Sequence, residues 1–542
     1  MRSNNVKPIQ GVLLTVSLFL TACGGGGKSV ATCTPAPAPA PIPAPVVTSM
    51  GTDFYLTLPD HLCVSAPSSC PGTTVTNKLI VAAATATTGE VTFYGVVTPF
   101  TVAAGGEVVI TLNTVFDPIT NLWVNVVLTK NEVVEAKGIH VTALSPISVH
   151  VVSESAYSAD GYLALPTAGL GTSYYVMSYP SASQPGSEFA VVATQNNTSV
   201  TITPKAAGLT KPANVAFTIL LNTGETYLFE NPAYADMTGT LVSSDKPVAV
   251  FSGHRFGNVP SGMGYGDYLV EQLPDVSIWG KTHHTSPFSG RSSYTVRVMA
   301  SQDGTAITTS PPGLVGTLNA GQFAEVTLAG AGEFVSDKPV LVAQYIRGFA
   351  DENVLAKRGD PSMVIVTPAE QGMTDSTFGV HGLPRTILDL TPFMNVVTET
   401  AAIPNLMLDN VAVNPALFTP VGGASIYSTG TIPVAPGAHT LLGSVPYSAL
   451  VYDYGIAGNA VSYAYPVAAK LSISAPVTPT PAPANPPPAV CVNNLVTGSD
   501  QSHTDTEQED HASNDHDDHH EDQASNDHHD HHVDDEGHDL DA

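Results

Sequence analysis

Residues 241–251 read LVSSDKPVAVF, and residues 334–342 repeat that pattern as FVSDKPVLV. In both stretches a short apolar run is followed by Asp-Lys-Pro and then by a run rich in valine. Such runs are typical of strands, and proline belongs at a strand start or in a turn because it lacks an amide donor. Each Asp-Lys-Pro is therefore predicted to end one strand and to turn into the next.

The strands around these two stretches recur in the same order along the chain. Clear copies span residues 188–255 and 294–348, and weaker copies span residues 79–151 and 393–470. The copies begin about 100 residues apart, which is the length of one small β domain.

The composition agrees with sheets joined by tight turns. Charged residues make up 12% of the chain, and helix patterns are almost absent from the repeats. Asn222-Thr-Gly224 and Asn319-Ala-Gly321 are predicted to form tight hairpins in which glycine takes a positive φ. We therefore predict an all-β fold of about four tandem β-sandwich-like repeats. A β-propeller of four large blades is the alternative, because periodicity does not separate the two.

The N-terminus has the pattern of a bacterial export signal. Arg2 and Lys7 precede an apolar core at residues 12–20, which is too short to span a bilayer as a helix. Leu-Thr-Ala-Cys at residues 20–23 resembles a lipobox, so residues 1–22 are predicted to be a lipoprotein signal peptide. A lipidated Cys23 would anchor the chain at the outer membrane or cell surface. The alternative is an ordinary secretory signal with a chance cysteine.

Two proline-rich segments bound the predicted folded region, residues 46–475. Residues 23–45 include PAPAPAPIPAP, and residues 476–490 have a similar composition. Alternating proline favours extended polyproline II structure, so both segments are predicted to be disordered linkers.

Four cysteines remain once Cys23 carries lipid, and they allow three pairings. Cys63 and Cys70 are the favoured pair, because they would close a short loop. Cys33 and Cys491 are the second candidate pair and would hold the two ends of the folded region together. They are equally compatible with free thiols or with bonds between molecules.

The C-terminal segment, residues 491–542, is predicted to be a disordered acidic tail. From residue 501 it holds ten histidines, sixteen acidic residues and no lysine or arginine, and ASNDHDDHH at 512–520 recurs as ASNDHHDHH at 524–532. Imidazole and carboxylate groups bind Zn²⁺, Ni²⁺ or Cu²⁺. The candidate metal ligands are His511, His516, His519, His520, His528, His529, His531, His532 and His538. The alternatives are a solvated low-complexity tail or a pH-responsive one.

Removing the tail tests the predicted metal binding. We expect the full chain to bind Zn²⁺ and Ni²⁺ in calorimetric titrations, and a chain ending at residue 500 to lose that binding, because the histidine-rich repeats supply the ligands. Equal affinity in the two chains would show that the tail is not the metal site.

Several motifs together resemble the N-terminal domain of the IgG Fc-binding protein family. They are SSDKPVAVFSGH (243–254), DYLVEQLP (267–274), Trp279-Gly280, DGYLALP (160–166), GTSYY (171–175), GDPSM (359–363) and Glu370-Gln371. The resemblance implies an exported binding or adhesion protein, and it does not imply that this chain binds antibody. Family members often carry two cysteines in the loop after Ser-Gly-His. Here Phe256 and Gly266 take those places, so the loop at residues 255–266 is expected to be mobile.

Five residues are candidates for a ligand site on the long loop between the second and third repeats: His254, Asp267, Glu271, Trp279 and Arg347. The structural alternative is that the histidine caps a strand while the two carboxylates accept hydrogen bonds from loop amides.

The favoured function is a surface binding or adhesion protein without catalytic activity, whose ligand is a surface protein or a glycan. No Gly-x-Ser-x-Gly or His-Glu-x-x-His motif is present, and residues 1–500 carry a net charge of −12, which disfavours nucleic acid as a partner. One alternative is a lipoprotein that sequesters divalent metals through its tail. A carbohydrate-active enzyme with widely separated carboxylates is the other.

Overall fold

Four repeats with related strand arrangements make up the part of the chain that the structure describes. The computed structural model describes residues 46–112, 114–313, 315–352, 358–383, 391–455 and 461–471. The predicted all-β fold of tandem sandwich-like repeats is confirmed. The predicted signal peptide, Cys23, Cys33, Cys491, both predicted linkers and the histidine-rich tail lie outside the described residues.

The elements are numbered in chain order. Repeat 1 contains β1 (Gly51–Leu56), α1 (Leu62–Ser65), β2 (Thr76–Ala83), β3 (Thr87–Phe93), β4 (Val96–Val102), β5 (Gly106–Thr111), β6 (Thr114–Asp117), β7 (Leu122–Asn125), β8 (Val134–Glu135), β9 (Ile139–Glu154) and β10 (Ala159–Leu163). Repeat 2 contains β11 (Ser173–Tyr175), β12 (Ser187–Ala193), β13 (Thr198–Thr203), β14 (Phe217–Leu221), β15 (Thr226–Glu230), β16 (Leu241–Ser244), β17 (Val248–Gly257) and β18 (Asp267–Gln272).

Repeat 3 contains β19 (Gly280–Thr285), β20 (Tyr294–Ala300), β21 (Thr305–Ser310), β22 (Thr317–Leu318), β23 (Phe323–Leu328), β24 (Gly332–Ile346), α2 (Phe349–Glu352) and β25 (Ser362–Ile365). Repeat 4 contains β26 (Met373–Val380), β27 (Phe393–Glu399), β28 (Met407–Leu408), β29 (Val411–Ala412), β30 (Phe418–Pro420), β31 (Tyr427–Pro433), β32 (Gly437–Tyr454) and β33 (Ser462–Pro466). Short 3₁₀ helices span Pro67–Ser69, Thr167–Gly169, Val276–Ile278, Ala369–Gln371, Thr400–Asn405 and Pro415–Leu417. Within the described ranges, no helix is long and apolar enough to cross a membrane.

One long strand organises each repeat. In repeat 1, the first half of β9 pairs with β1 and β3, and its second half pairs with β2 and β10. Strands β24 and β32 do the same in repeats 3 and 4, while repeat 2 divides the long strand into β16 and β17 and so has two separate sheets. Repeats 1, 3 and 4 are therefore sandwiches whose two sheets share one strand, and repeat 2 is a sandwich of two separate sheets.

A proline marks the place where each long strand changes sheet: Pro146, Pro247, Pro339 and Pro446. In repeat 2, Asp-Lys-Pro ends β16 and leads into β17, as predicted, whereas in repeat 3 the predicted break between strands is wrong. In repeat 3 the motif lies inside β24, and the chain continues in the same direction. The reason is that proline removes one ladder hydrogen bond but still fits extended backbone, so the strand leaves one sheet and joins the other.

The two Asn-x-Gly turns also connect sheets. Gly224 and Gly321 have φ of 76° and 69°, the left-handed conformation expected for these glycines. The strands on either side of each turn belong to opposite sheets, β14 to β15 and β22 to β23, so the turns are not hairpins as predicted. Positive φ at glycine fixes a sharp reversal but does not decide whether the flanking strands pair.

The four repeats close into a ring. Their last strands, β10, β18, β25 and β33, pack against one another in cyclic order at the centre. The two ends of the described region meet, because the Ser49 amide donates to the Ala469 carbonyl at 2.8 Å and the Leu471 amide donates to the Val47 carbonyl at 2.7 Å. The fold thus combines the predicted sandwich repeats with the ring closure of the propeller alternative.

The hydrophobic cores follow the same cycle. Each of the four large cores joins one repeat to the next; for example, Ala249 and Phe251 of repeat 2 belong to the core of repeat 1. The cycle closes because Ile80, Val152 and Ala159 of repeat 1 belong to the core of repeat 4. No repeat buries its apolar surface alone, so the ring is expected to unfold as one unit.

Candidate functional site

The ring axis is built from four related segments. Three of the central strands contain or follow an aspartate, Asp160, Asp267 or Asp360, and a proline comes six to eight residues after that aspartate. The 3₁₀ helix that leads to the next repeat begins one or two residues after that proline. The recurrent acid-to-proline spacing places one carboxyl group from each of repeats 1, 2 and 3 near the axis.

Asp160 binds the other three repeats at once. Its Oδ2 accepts hydrogen bonds from the Val270 amide at 3.0 Å and the Met363 amide at 3.1 Å. Its Oδ1 accepts from Ser362 Oγ at 2.8 Å and from the Ala464 amide at 3.4 Å. Burial raises the pKa of Asp160 well above its usual value, and the hydrogen bonds from Ser362, Met363 and Val270 oppose that shift.

Two more carboxyl groups on β18 continue this pattern. Asp267 accepts from the Ala159 amide at 2.7 Å and the Ser462 amide at 3.3 Å, and Glu271 accepts from the Ile365 amide at 3.0 Å. Burial raises the pKa of both groups well above the usual range, and for Asp267 the nearby carboxylates add to the effect. These side chains satisfy backbone amides that have no strand beside them, so their role at the axis is to join repeats.

A second group of buried carboxyls lies where repeats 1 and 2 meet. The Asp60 amide donates to Glu188 at 3.1 Å, and Arg255 Nη1 lies 3.6 Å from Asp60 and 3.5 Å from Glu230. Burial raises the pKa of Asp60 and Glu188, and it raises that of Glu230 to about 7. Asp60 Oδ1 and Glu188 Oε1 are buried without a hydrogen-bond partner.

A cavity opens beside the axis where the central strands end. All four repeats contribute to its largely apolar walls, for example through Leu163, Trp279, Ile365 and Leu471. It offers about 50 Å³ to the centres of water-sized molecules, within about 500 Å³ of free space that includes its open mouth. Polar groups are few on these walls, and Glu271 is among them.

The structure does not gather the five predicted ligand residues into one exposed site. Glu271 and Trp279 line the cavity. His254 is buried, its Nδ1 accepts from the Phe256 amide at 2.9 Å, and burial lowers its pKa to about 3. Asp267 is fully buried at the axis, whereas Arg347 is half-buried and donates to Thr327 at 2.9 Å.

The loop at residues 255–266 lies inside repeat 2 and not between repeats, because it leads from β17 to the last strand of that repeat. The second copy seen in the sequence ends at residue 255 and so omits β18. That strand is hard to recognise because the central strands share only an acid and a proline. The predicted repeat starts at 79, 188, 294 and 393 each fall on the second strand of an observed repeat.

One surface feature was not predicted, a β6–β7 hairpin inserted before the long strand of repeat 1. Ile119, Leu122 and Trp123 on this hairpin are 93%, 64% and 69% exposed. The Asp117 carboxylate fixes the turn, accepting from the Ile119 amide at 2.9 Å and from Tyr94 Oη at 3.1 Å. The sequence signal was the run VFDPITNLWV at 115–124, which holds one of the chain's two tryptophans.

The hairpin borders an open groove. Tyr55, Tyr94, Ile119 and His140 line about 460 Å³ of space between the hairpin and the junction of repeats 1 and 2. Tyr55 stacks on His140 at 4.2 Å between ring centroids. We call the hairpin and this groove the hairpin patch. Exposed apolar groups held in fixed positions are a feature of binding surfaces.

Among the residues that the structure describes, no group of histidine, cysteine or acidic side chains has the arrangement of a metal site. Cys63 and Cys70 form a disulfide bond, with their Cα atoms 5.3 Å apart. The buried carboxyls described above are held by backbone amides or lie within the repeat 1–2 junction.

These features define an all-β protein of four sandwich-like repeats closed into a ring. The family described as "IgGFc binding protein" matches residues 160–452, more than half of the chain, and the chain belongs to this family. The predicted resemblance is thereby confirmed. The human protein named "IgGFc-binding protein" is 27% identical over 351 residues, covering 62% of this chain and 6% of its own length. No solved structure matches the chain.

Proposed function

We propose that this chain is an exported, lipid-anchored protein that binds a protein partner at the cell surface and catalyses no reaction. Membership of a family named for binding an immunoglobulin Fc region carries the proposal. The lipobox-like sequence at Cys23 and the proline-rich linker support anchoring and display.

The hairpin patch is the surface best suited to that partner. Its apolar groups lie on a hairpin fixed by Asp117, so they lose little conformational freedom on binding. Aliphatic Ile119 and Leu122 beside Trp123 favour a protein over a glycan, because a glycan offers few surfaces that match aliphatic side chains. The hairpin also lies outside the family-matched residues 160–452, so partner choice is expected to be particular to this chain.

Replacing the exposed hairpin residues should weaken binding strongly. We expect the triple variant I119S/L122S/W123S to bind the partner at least about 30-fold more weakly, since truncating one central apolar residue commonly costs about 2 kcal/mol. Cells displaying the chain are incubated with labelled IgG Fc fragments, mucin and a panel of surface proteins, and bound label is measured.

The matched control is I426S, which alters an isolated residue that is 61% exposed in repeat 4. Protease shaving of the same cells tests display separately from binding. Intact binding by the triple variant would remove the hairpin patch from the proposal. Binding of glycans alone would contradict a protein partner, and cleavage of a glycan panel would contradict a non-catalytic role.

A further inference from the structure

Two residues that line the axial cavity each carry a buried side-chain nitrogen atom that has no hydrogen-bond partner. Gln272 Nε2 and His283 Nδ1 are buried and unpaired, although Gln272 Oε1 on the same side chain accepts from the Leu165 amide at 2.9 Å. Both residues line the cavity and are at most 3% exposed. Buried polar groups normally have partners, so two such side chains beside one small cavity point to a bound molecule that satisfies them.

We propose that the axial cavity binds a small uncharged molecule with an apolar body and one hydroxyl or carbonyl oxygen. The apolar walls, including Leu163, Trp279 and Ile365, match the body of such a molecule. Its oxygen would accept a hydrogen bond from Gln272 Nε2, and a hydroxyl group would also bond His283 Nδ1. This site is independent of the hairpin patch and of the proposed partner.

The electrostatics of the cavity favour a neutral ligand. Burial lowers the pKa of His283 to about 3, so its imidazole carries no charge at neutral pH. Burial raises the pKa of Glu271 well above its usual value, which favours the uncharged carboxyl form. A charged ligand would have to leave water for apolar walls without a fixed counter-ion, and this transfer is costly.

The size of the cavity limits the ligand to a few heavy atoms. A water molecule needs about 10–15 Å³ measured in this way, so about 50 Å³ holds a small organic molecule or a few waters. Water is the competing occupant. It is disfavoured because each water needs two to four polar partners, and Leu163, Ile278 and Val340 supply none on their side of the cavity.

Trp279 provides a direct measurement, because it lines the cavity and is only 5% exposed. The chain has two tryptophans, so W123F leaves Trp279 as the only one. Three chlorinated quenchers of similar size serve as probes: 2,2,2-trichloroethanol, 1,1,1-trichloroethane and trichloroacetate. They supply a neutral hydroxyl, no oxygen and a negative charge, respectively.

We expect trichloroethanol to quench Trp279 with a saturable curve in the full-length W123F chain. Trichloroethane should bind about tenfold more weakly, the equivalent of roughly 1.4 kcal/mol for the missing hydrogen bonds. Trichloroacetate should give no saturable component. Adding A469M, which places a larger side chain in the cavity wall, should abolish saturation by all probes.

A second variant keeps the test decisive if A469M does not fold. H283L leaves the cavity volume nearly unchanged, so trichloroethane should still bind while trichloroethanol loses much of its advantage. Near-UV circular dichroism confirms that each variant is folded. Quenching by trichloroethanol that is linear in concentration and equal to that by trichloroethane would overturn the proposal and indicate a cavity holding water only.

Discussion

Replacing Asp160 with alanine should lower the free energy of unfolding by about 3–5 kcal/mol, because buried donors from three other repeats would lose their acceptor. The Val270 and Met363 amides and the Ser362 hydroxyl all donate to this carboxyl group, and all four residues are fully buried. The loss is a large fraction of the 5–15 kcal/mol that is typical of a folded domain. Urea denaturation followed by circular dichroism measures it.

Two further variants serve as comparisons for D160A, a conservative replacement at the same position and a control on the surface. D160N keeps one acceptor oxygen but points an amide NH₂ toward a backbone donor. It should therefore be more stable than D160A but less stable than the native chain. D375N alters an exposed aspartate in repeat 4 and should change stability by less than about 0.5 kcal/mol. If D160A were as mild as D375N, the axis would not depend on this carboxyl group.

The strand content and the repeat could be predicted because both leave local signals. Valine-rich runs around Asp-Lys-Pro mark the long strand in repeats 2 and 3, and Gly224 and Gly321 mark turns that need positive φ. The sheet change at proline could not be predicted, because a bend within a strand and a turn between strands have the same local sequence pattern. The choice between them depends on which partners lie on either side, and those partners are far away in sequence.

Ring closure could not be predicted from the sequence for a related reason. The contacts that close the ring join residues as distant as Ser49 and Ala469, and the axial bond from Asp160 to Ala464 spans a similar distance. Carboxyl groups are also rarely placed in a core without a charged partner. The sequence therefore offers a loop ligand site or hydrogen bonds from loop amides for Asp267 and Glu271, whereas both are buried and accept hydrogen bonds from strand amides of other repeats.

The cavity could not be predicted from the sequence, whereas the hairpin patch had a local sequence signal. Cavity walls from four repeats have no common sequence pattern, so the sequence marks Glu271 and Trp279 as candidates for a loop site and gives no sign of a cavity. The hairpin has a local signal in the apolar run around Trp123. The repeat pattern does not predict it, because the hairpin is an insertion in repeat 1. Insertions that interrupt a repeat are frequent places for binding surfaces.

Replacing Glu230 with glutamine should change how stability depends on pH between about 4.5 and 7. Burial, together with Asp60, raises the pKa of Glu230 to about 7, although Arg255 at 3.5 Å opposes the shift. The folded chain therefore keeps a proton that the unfolded chain loses above about pH 4.5, so this group lowers stability as the pH rises to 7. At about 1.4 kcal/mol per pKa unit, its contribution is on the order of 3 kcal/mol.

The comparison must be made between variants, because buried histidines act in the opposite direction. His61 and His254 have pKa values lowered to about 3 by burial, so their contribution to stability is lost as the pH falls below about 6.5. Urea denaturation of the native chain and of E230Q at several pH values isolates the contribution of Glu230 to the free energy of unfolding. Stability should fall by about 3 kcal/mol less in E230Q than in the native chain as the pH rises from about 4.5 to above 7.

The exposed Glu90 supplies the control, because E90Q removes a carboxyl group of the same type from the surface of repeat 1 and not from its interior. Identical profiles for E230Q and E90Q would mean that Glu230 is already ionised in the folded ring. Arg255 would then hold two carboxylates, Asp60 and Glu230, in their charged forms at the junction of repeats 1 and 2. In that case, R255M should destabilise the ring more at pH 7 than at pH 4.5, because it would leave those charges buried without a counter-ion.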